Sequence, residues 1–258
     1  MTVKADNRLW VERDFESLRG RTLKTLREAI LARHLAPGQR LVERDLCQQT
    51  GVSRSSIREA LRHLESEGLI ESRGSKGMFV SVLSKRQALE IYEVRAALEA
   101  EAARHFAERA TDEELQALKA GYERIVEVAY SDPDAYGREI DGFFEVLFAG
   151  AGNATAHALI RSLRARINLL RNTTIRLASK ERTKGSLAKM KSIVEALEKR
   201  DGGAAVQACR SFVARSAEFA ASQFEGPGGD DRRVAASVAG NNRSELRSAR
   251  EFGEPDPA

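Results

Sequence analysis

The sequence predicts a mostly α protein, with short helices leading into one β-hairpin in its N-terminal third and a C-terminal all-α helical bundle after it. Three observations carry this. Over residues 84 to about 224, apolar residues recur at three and four positions with few prolines, and no run alternates with the period of two that marks a strand. Turn residues interrupt the first 83 residues more often, and the apolar pairs Leu69-Ile70 and Phe79-Val80 flank a basic, glycine-bearing pentapeptide. From Gly226 onward Gly, Asp, Asn, Ser and Pro replace the large apolar residues, leaving too little surface to offset ordering entropy. The expected division is 1–83, 84–225 and a disordered tail over 226–258.

The N-terminal elements follow in order. Leu23, Leu26, Ile30 and Leu31 form one face of a helix over 23–35, ended by Ala36-Pro37-Gly38. A short helix over 42–49 turns Leu46 inward. Thr50-Gly51-Val52-Ser53 makes a tight turn in which Gly51 suits left-handed backbone, Val52 plugs the core and Ser53 caps the next helix. In that third helix, over 54–67, Ile57, Ala60, Leu61 and Leu64 face inward. Arg54, Arg58 and Arg62, four apart, share the outer face with Ser55 beside them. Gly68 stops the helix, and Arg73-Gly74-Ser75-Lys76-Gly77 becomes the tip of a hairpin. Together these elements make a winged helix-turn-helix. A helix with such a row fits the DNA major groove, where arginine pairs guanine O6 and N7 or neutralises phosphates. An isolated charged helix would read as a solvated face pairing with Glu59 or Glu65. The turn, cap, plug and basic hairpin occurring within about 40 residues reverse that preference. Arg44 is placed for the DNA backbone, and Lys76 and Gly77 for the minor groove or its phosphates.

The bundle has expected breaks at 111–114, 131–133, 150–153, 179–183 and 201–203, giving about six helices. Ser84 with Gln87 and Thr111 with Glu114 have the capping-box form.

Charge and composition narrow the function. Of 258 residues, 42 are Lys or Arg and 38 Asp or Glu, and residues 1–83 hold 15 basic against 11 acidic groups, the whole of the net +4. No apolar stretch approaches the roughly 18 residues of a membrane span, and the polar start Met1 to Arg8 lacks the apolar run of a signal peptide. A cytoplasmic protein is expected. Cys47 and Cys209, without CxxC spacing, are expected as reduced, largely buried thiols. An enzyme is not expected. Gly150-Ala151-Gly152 opens a GxGxxG whose third glycine is Thr155 and which follows no strand, and GxSxG, HExxH and P-loop motifs are absent.

The residues from Pro37 to Glu43, from Gly51 to Leu61, Glu67-Gly68-Leu69-Ile70 and Gly77-Met78-Phe79-Val80 closely resemble the GntR family of bacterial transcription regulators. Ser56 stands where the family usually has Pro, a small departure because Ser also favours helix starts. The resemblance implies operator contacts at Arg44, Arg54, Ser55, Arg58 and the Lys76-Gly77 wing, to which the helical geometry adds Arg62. Ile91-Tyr92-Glu93-Val94-Arg95, Leu98-Glu99, Ala102-Ala103 and residues 141–153 and 196–201 resemble, more loosely, the FCD effector domain of the FadR-like subfamily. Its metal positions fall on Asp141, Glu145, Met190 and Phe212, of which only the aspartate keeps the family's ligand. No metal or other cofactor is therefore expected. Asp141 and Glu145 either face a pocket or pair with a basic helix carrying Arg161, Arg164, Arg166 and Arg171. Arg95 either holds an anionic effector or pairs with Glu99. The expectation is a homodimeric regulator of double-stranded DNA with a small, anionic organic effector in the helical domain. The alternative is an effector-independent regulator whose helical domain only dimerises.

Overall fold

Side chains near each turn set most of the helix ends in the computed structural model, which describes residues 18–224. The first helix, α1 (Leu18–Leu31), already includes Leu18 and ends a few residues earlier than its apolar face suggested, because Arg33 at φ 64 turns the chain before Pro37 is reached. Trp10, Phe15 and the segment 226–258 lie outside the described residues. α2 (Glu43–Thr50) ends on Gly51, whose φ of 68 lets its N–H reach the Cys47 carbonyl at 2.9 Å. α3 (Arg54–Ser66) is capped by Ser53, whose hydroxyl accepts from the Ser56 N–H. Ile57, Ala60, Leu61 and Leu64 are buried as expected, and each of the larger three contributes about 1.5–3 kcal/mol by burial.

The wing is a hairpin of β2 (Ile70–Ser72) and β3 (Met78–Val80), with Ile70 opposite Val80 and a 3-10 turn over Gly74–Lys76. A third strand, unforeseen from the sequence, completes the sheet: β1 (Arg40–Leu41) pairs antiparallel with Phe79 and Met78, in the order β1-β3-β2.

Six helices follow, broken at the expected places: α4 (Lys85–Arg109), α5 (Asp112–Val128), α6 (Pro133–Gly150), α7 (Ala154–Leu177), α8 (Lys180–Glu198) and α9 (Gly202–Ser222). Both capping boxes form, and Asp132, Asn153, Ser179 and Asp201 cap the other four starts. Their core is built on Phe106, Phe143, Phe148, Leu118, Ile125 and Leu147. Gly150 is required there, since a Cβ would lie 2.6 Å from the Phe106 ring. Cys209 is buried in this core and Cys47 is half-buried in the N-terminal one; both are free thiols. α7 belongs to both parts: its Ala165 and Leu169 join the N-terminal core, while Ile160, Ile167 and Leu170 join the bundle core.

Candidate DNA-binding face and ligand cavity

With Ile57, Ala60, Leu61 and Leu64 buried, the helical repeat turns Arg54, Arg58 and Arg62 outward on α3, all exposed. Ser55 is exposed beside them, its hydroxyl 3.0 Å from that of Ser53. Arg54, Arg62 and the exposed Lys76 have no ion pair among the described residues, so their charges remain available to a partner. Arg58 instead meets Glu43 at the start of α2, Nε lying 2.8 and 3.0 Å from the two carboxylate oxygens, and this raises its pKa above the ordinary arginine value. Arg44 is 72% exposed and makes a loose pair with Asp45 at 3.3 Å. At the wing, Gly77 has a φ of 95 that glycine alone adopts readily. Arg73 lies over the Phe79 ring at 4.6 Å and pairs with Glu71.

A partly open cavity lies between α4, α6, α7, α8 and α9, with Tyr92, Arg95, Tyr136, Arg171, Arg182 and Phe212 among its lining residues. Arg95 is 3% exposed and donates to both oxygens of Glu99, at 2.8 and 3.2 Å. The two sequence alternatives for it are thus compatible, because it is both paired and turned to the cavity. Burial works against its charge, but Glu99 outweighs that and holds its pKa above the ordinary value. Arg171 is paired with Asp141. Arg182 differs: its terminal amines donate to the Ser186 hydroxyl and the Arg215 carbonyl, and it has no carboxylate partner among the described residues. Burial and then the neighbouring Arg215 charge depress its pKa. Burial also pushes the Tyr136 hydroxyl up to about 12, leaving it a neutral donor at the cavity wall. Sequence reasoning missed Arg182, which sits in a polar run read as a helix break; a guanidinium three places after the cap residue Ser179 gives no local signal of pointing inward.

The four positions implied for a metal do not fit one. Asp141 is engaged by Arg171, and Glu145 by Arg164 and by His157 Nε2 at 2.8 Å. Met190 is fully buried in the core, and the Phe212 ring packs 5.7 Å from that of Phe144. Neither side chain offers a hard donor. Glu145 lies outside the lining of the arginine cavity, as does Asp141.

α7 links this cavity to the N-terminal domain. Arg171, Thr174 and Ile175 line the cavity, while Arg166 Nε approaches the Glu67 carbonyl at 3.4 Å, Asn172 donates to the Leu31 carbonyl and Thr173 accepts from Arg33.

Comparison with known proteins follows the same division. Residues 18–80 match the family model described as bacterial regulatory proteins, gntR family, and residues 90–215 match the FCD domain. The chain belongs to the GntR family. It is a DNA-binding transcriptional regulator with an FCD domain. It is 42% identical over 86 residues to the Nta operon transcriptional regulator of Aminobacter aminovorans, a match covering 33% of this chain and only 41% of that relative. Against the HTH-type transcriptional repressor RspR of Escherichia coli K12 it is 27% identical over 196 residues, 76% of this chain and 85% of the relative. Two solved GntR-type folds resemble it: E. coli McbR/YncC, with a TM-score of 0.72, 20% identity and 82% of this chain covered, and a putative GntR regulator from Rhodococcus sp. RHA1, with 0.70, 23% and 81%. Both solved chains are covered in full. Among the described residues no helix is long and apolar enough to cross a membrane.

Proposed function

We propose that this GntR regulator acts in the bacterial cytoplasm as a homodimer on a double-stranded DNA operator, and that a small anionic organic effector in the bundle tunes its DNA affinity without metal or other cofactor. Its operator contacts are Arg44, Arg54, Ser55, Arg58, Arg62 and the wing at Lys76 and Gly77. The observation that carries the effector half is Arg182, a half-buried cation with no carboxylate partner among the described residues, facing a cavity with hydroxyl donors. Arg95 and Arg171 are already neutralised by Glu99 and Asp141, so an entering anion would meet one uncompensated charge there. Asp141 and Glu145 then position arginines and do not touch the ligand.

α7 supplies the coupling, since one helix carries cavity residues and the seam with the DNA-binding domain. A ligand shifts DNA affinity only as far as it prefers one placement of the domains. The effector-independent reading draws on the same ion pairs: with Asp141 and Glu145 engaged, the bundle would serve only to dimerise.

Thermal shift of the full chain against organic acids and acyl thioesters, with and without divalent metals, separates the two. An acid that raises the melting temperature in metal-free buffer and changes operator affinity, with both effects lost in Arg182→Ala, supports the sensor. No response to any compound supports the pure dimeriser.

A further inference from the structure

A guanidinium offers guanine two parallel donors from a rigid fork, and a bond that holds its remaining edge limits the swing of that fork between base edges and phosphates. Among the basic residues on the outer face of α3, Arg58 is the one held by a partner from another helix. Its Nε lies 2.8 and 3.0 Å from the carboxylate oxygens of Glu43, and its two terminal amines have no protein partner among the described residues. The side chains are 59% and 35% exposed, so the pair stands at the surface the arginine row presents. Of the other acids nearby, Glu59 pairs with Arg19 and Asp45 with Arg44.

Glu43 is also an odd residue for its place. As the first residue of α2 it benefits from the helix dipole, but on a face meant for a polyanion its carboxylate opposes every phosphate within a Debye length, about 8 Å. A residue that weakens non-specific attraction while fixing one arginine improves discrimination at the expense of overall affinity.

We infer that Glu43 is a specificity-determining residue: by holding Nε of Arg58, it aims both terminal amines of that arginine at a base edge and keeps them off the phosphates. The inference rests on the reading of Arg58 as a base-contacting residue. Arg58 loses conformational freedom when the protein folds, before DNA arrives, so less is lost on binding. Without Glu43 the guanidinium is free to bond phosphate, a contact that carries no sequence information.

The test is fluorescence anisotropy of the full chain on a duplex recovered by the wild type from a randomised library, and on a scrambled duplex of equal length and composition. Glu43→Gln keeps the shape and removes the charge. It should bind the scrambled duplex as well as the wild type or better, bind the selected duplex less well, and lose about tenfold in the ratio of the two affinities. In an Arg58→Ala background the same change should cause no further loss of ratio, because the partner it positions is gone. Equal strengthening on both duplexes, or an unchanged ratio, would make Glu43 a mere surface charge and overturn the proposal. So would an equal loss in both backgrounds, or a loss that tracks a lowered melting temperature, since the first makes its role independent of Arg58 and the second makes it one of stabilising α2. If Arg58→Ala itself keeps the wild-type ratio, the reading of Arg58 fails and the inference goes with it. If Arg58→Ala loses the ratio and Glu43→Gln keeps it, the inference about Glu43 alone is overturned.

Discussion

A terminal amine of Arg33, just past the end of α1, donates to the Thr173 hydroxyl on α7 at 2.7 Å, and the next residue of α7, Thr174, faces the arginine cavity. One peptide unit therefore separates a contact to the DNA-binding domain from the wall of that cavity. Burial, then the charge of Arg176, depresses the Arg33 pKa, as expected for a cation tied into a seam. Arg33→Ala should cost about 1 kcal/mol in urea unfolding and loosen the seam enough for two transitions to separate. A single, unshifted transition would show that the contact carries nothing.

Gly68 tests the same seam from the other side. Its φ is 73, and a Cβ there would lie 2.5 Å from Arg166 Nε. Gly68→Ala should cost about 1–2 kcal/mol of chemical stability from left-handed strain and the clash together. Adding Arg166→Ala should recover the clash part and leave the backbone part.

The Arg95–Glu99 pair is enclosed, with side chains 3% and 2% exposed. Removing one partner strands the other charge, so Arg95→Met or Glu99→Leu alone should each cost about 3–5 kcal/mol. The double variant should be far closer to the wild type, because two apolar groups of similar volume need no compensation. A simple sum of the single losses would contradict this.

Glu145 gives a pH signature. Burial opposes its charge, but its bonds to Arg164 and then His157 outweigh that and depress its pKa below the ordinary 4.5. A carboxylate depressed in the folded state adds stability that is complete above the unfolded value and lost as pH falls through the folded one. The stability gap between wild type and Glu145→Gln should therefore be full above the ordinary carboxylate value and shrink as the pH falls below it. The side chain is 37% exposed, so the gap should also narrow with salt. A gap that widened on acidification would contradict the assignment.

Features set by residues a few positions apart were legible, although the ends of α1 were not. The capping pairs Ser84–Gln87 and Thr111–Glu114, the left-handed Gly51 and the buried face of α3 each depend on residues within a few positions. The β1 strand was invisible because two residues, Arg40 and Leu41, become a strand only by pairing with Met78 and Phe79 nearly 40 positions away. The cavity was half visible for a similar reason. Arg95 stood out as a charge in an apolar run, but Arg182 lies among polar neighbours and reaches the cavity only through the packing of α8 on α9. Asp141 and Glu145 could be placed on one helix, yet their partners Arg171 and Arg164 come from α7, and choosing between pocket and ion pair required the tertiary fold.

The central claim is that the outer face of α3 reads DNA. The most direct measurement is anisotropy of Arg58→Ala against the wild type, on the selected and scrambled duplexes described above. Arg58 is exposed, so the melting temperature should hold, while the preference for the selected duplex should fall by about 1–3 kcal/mol, roughly fivefold to 150-fold. An unchanged preference in a folded variant would contradict the account, since the arginine at the centre of the row would then have no part in recognition.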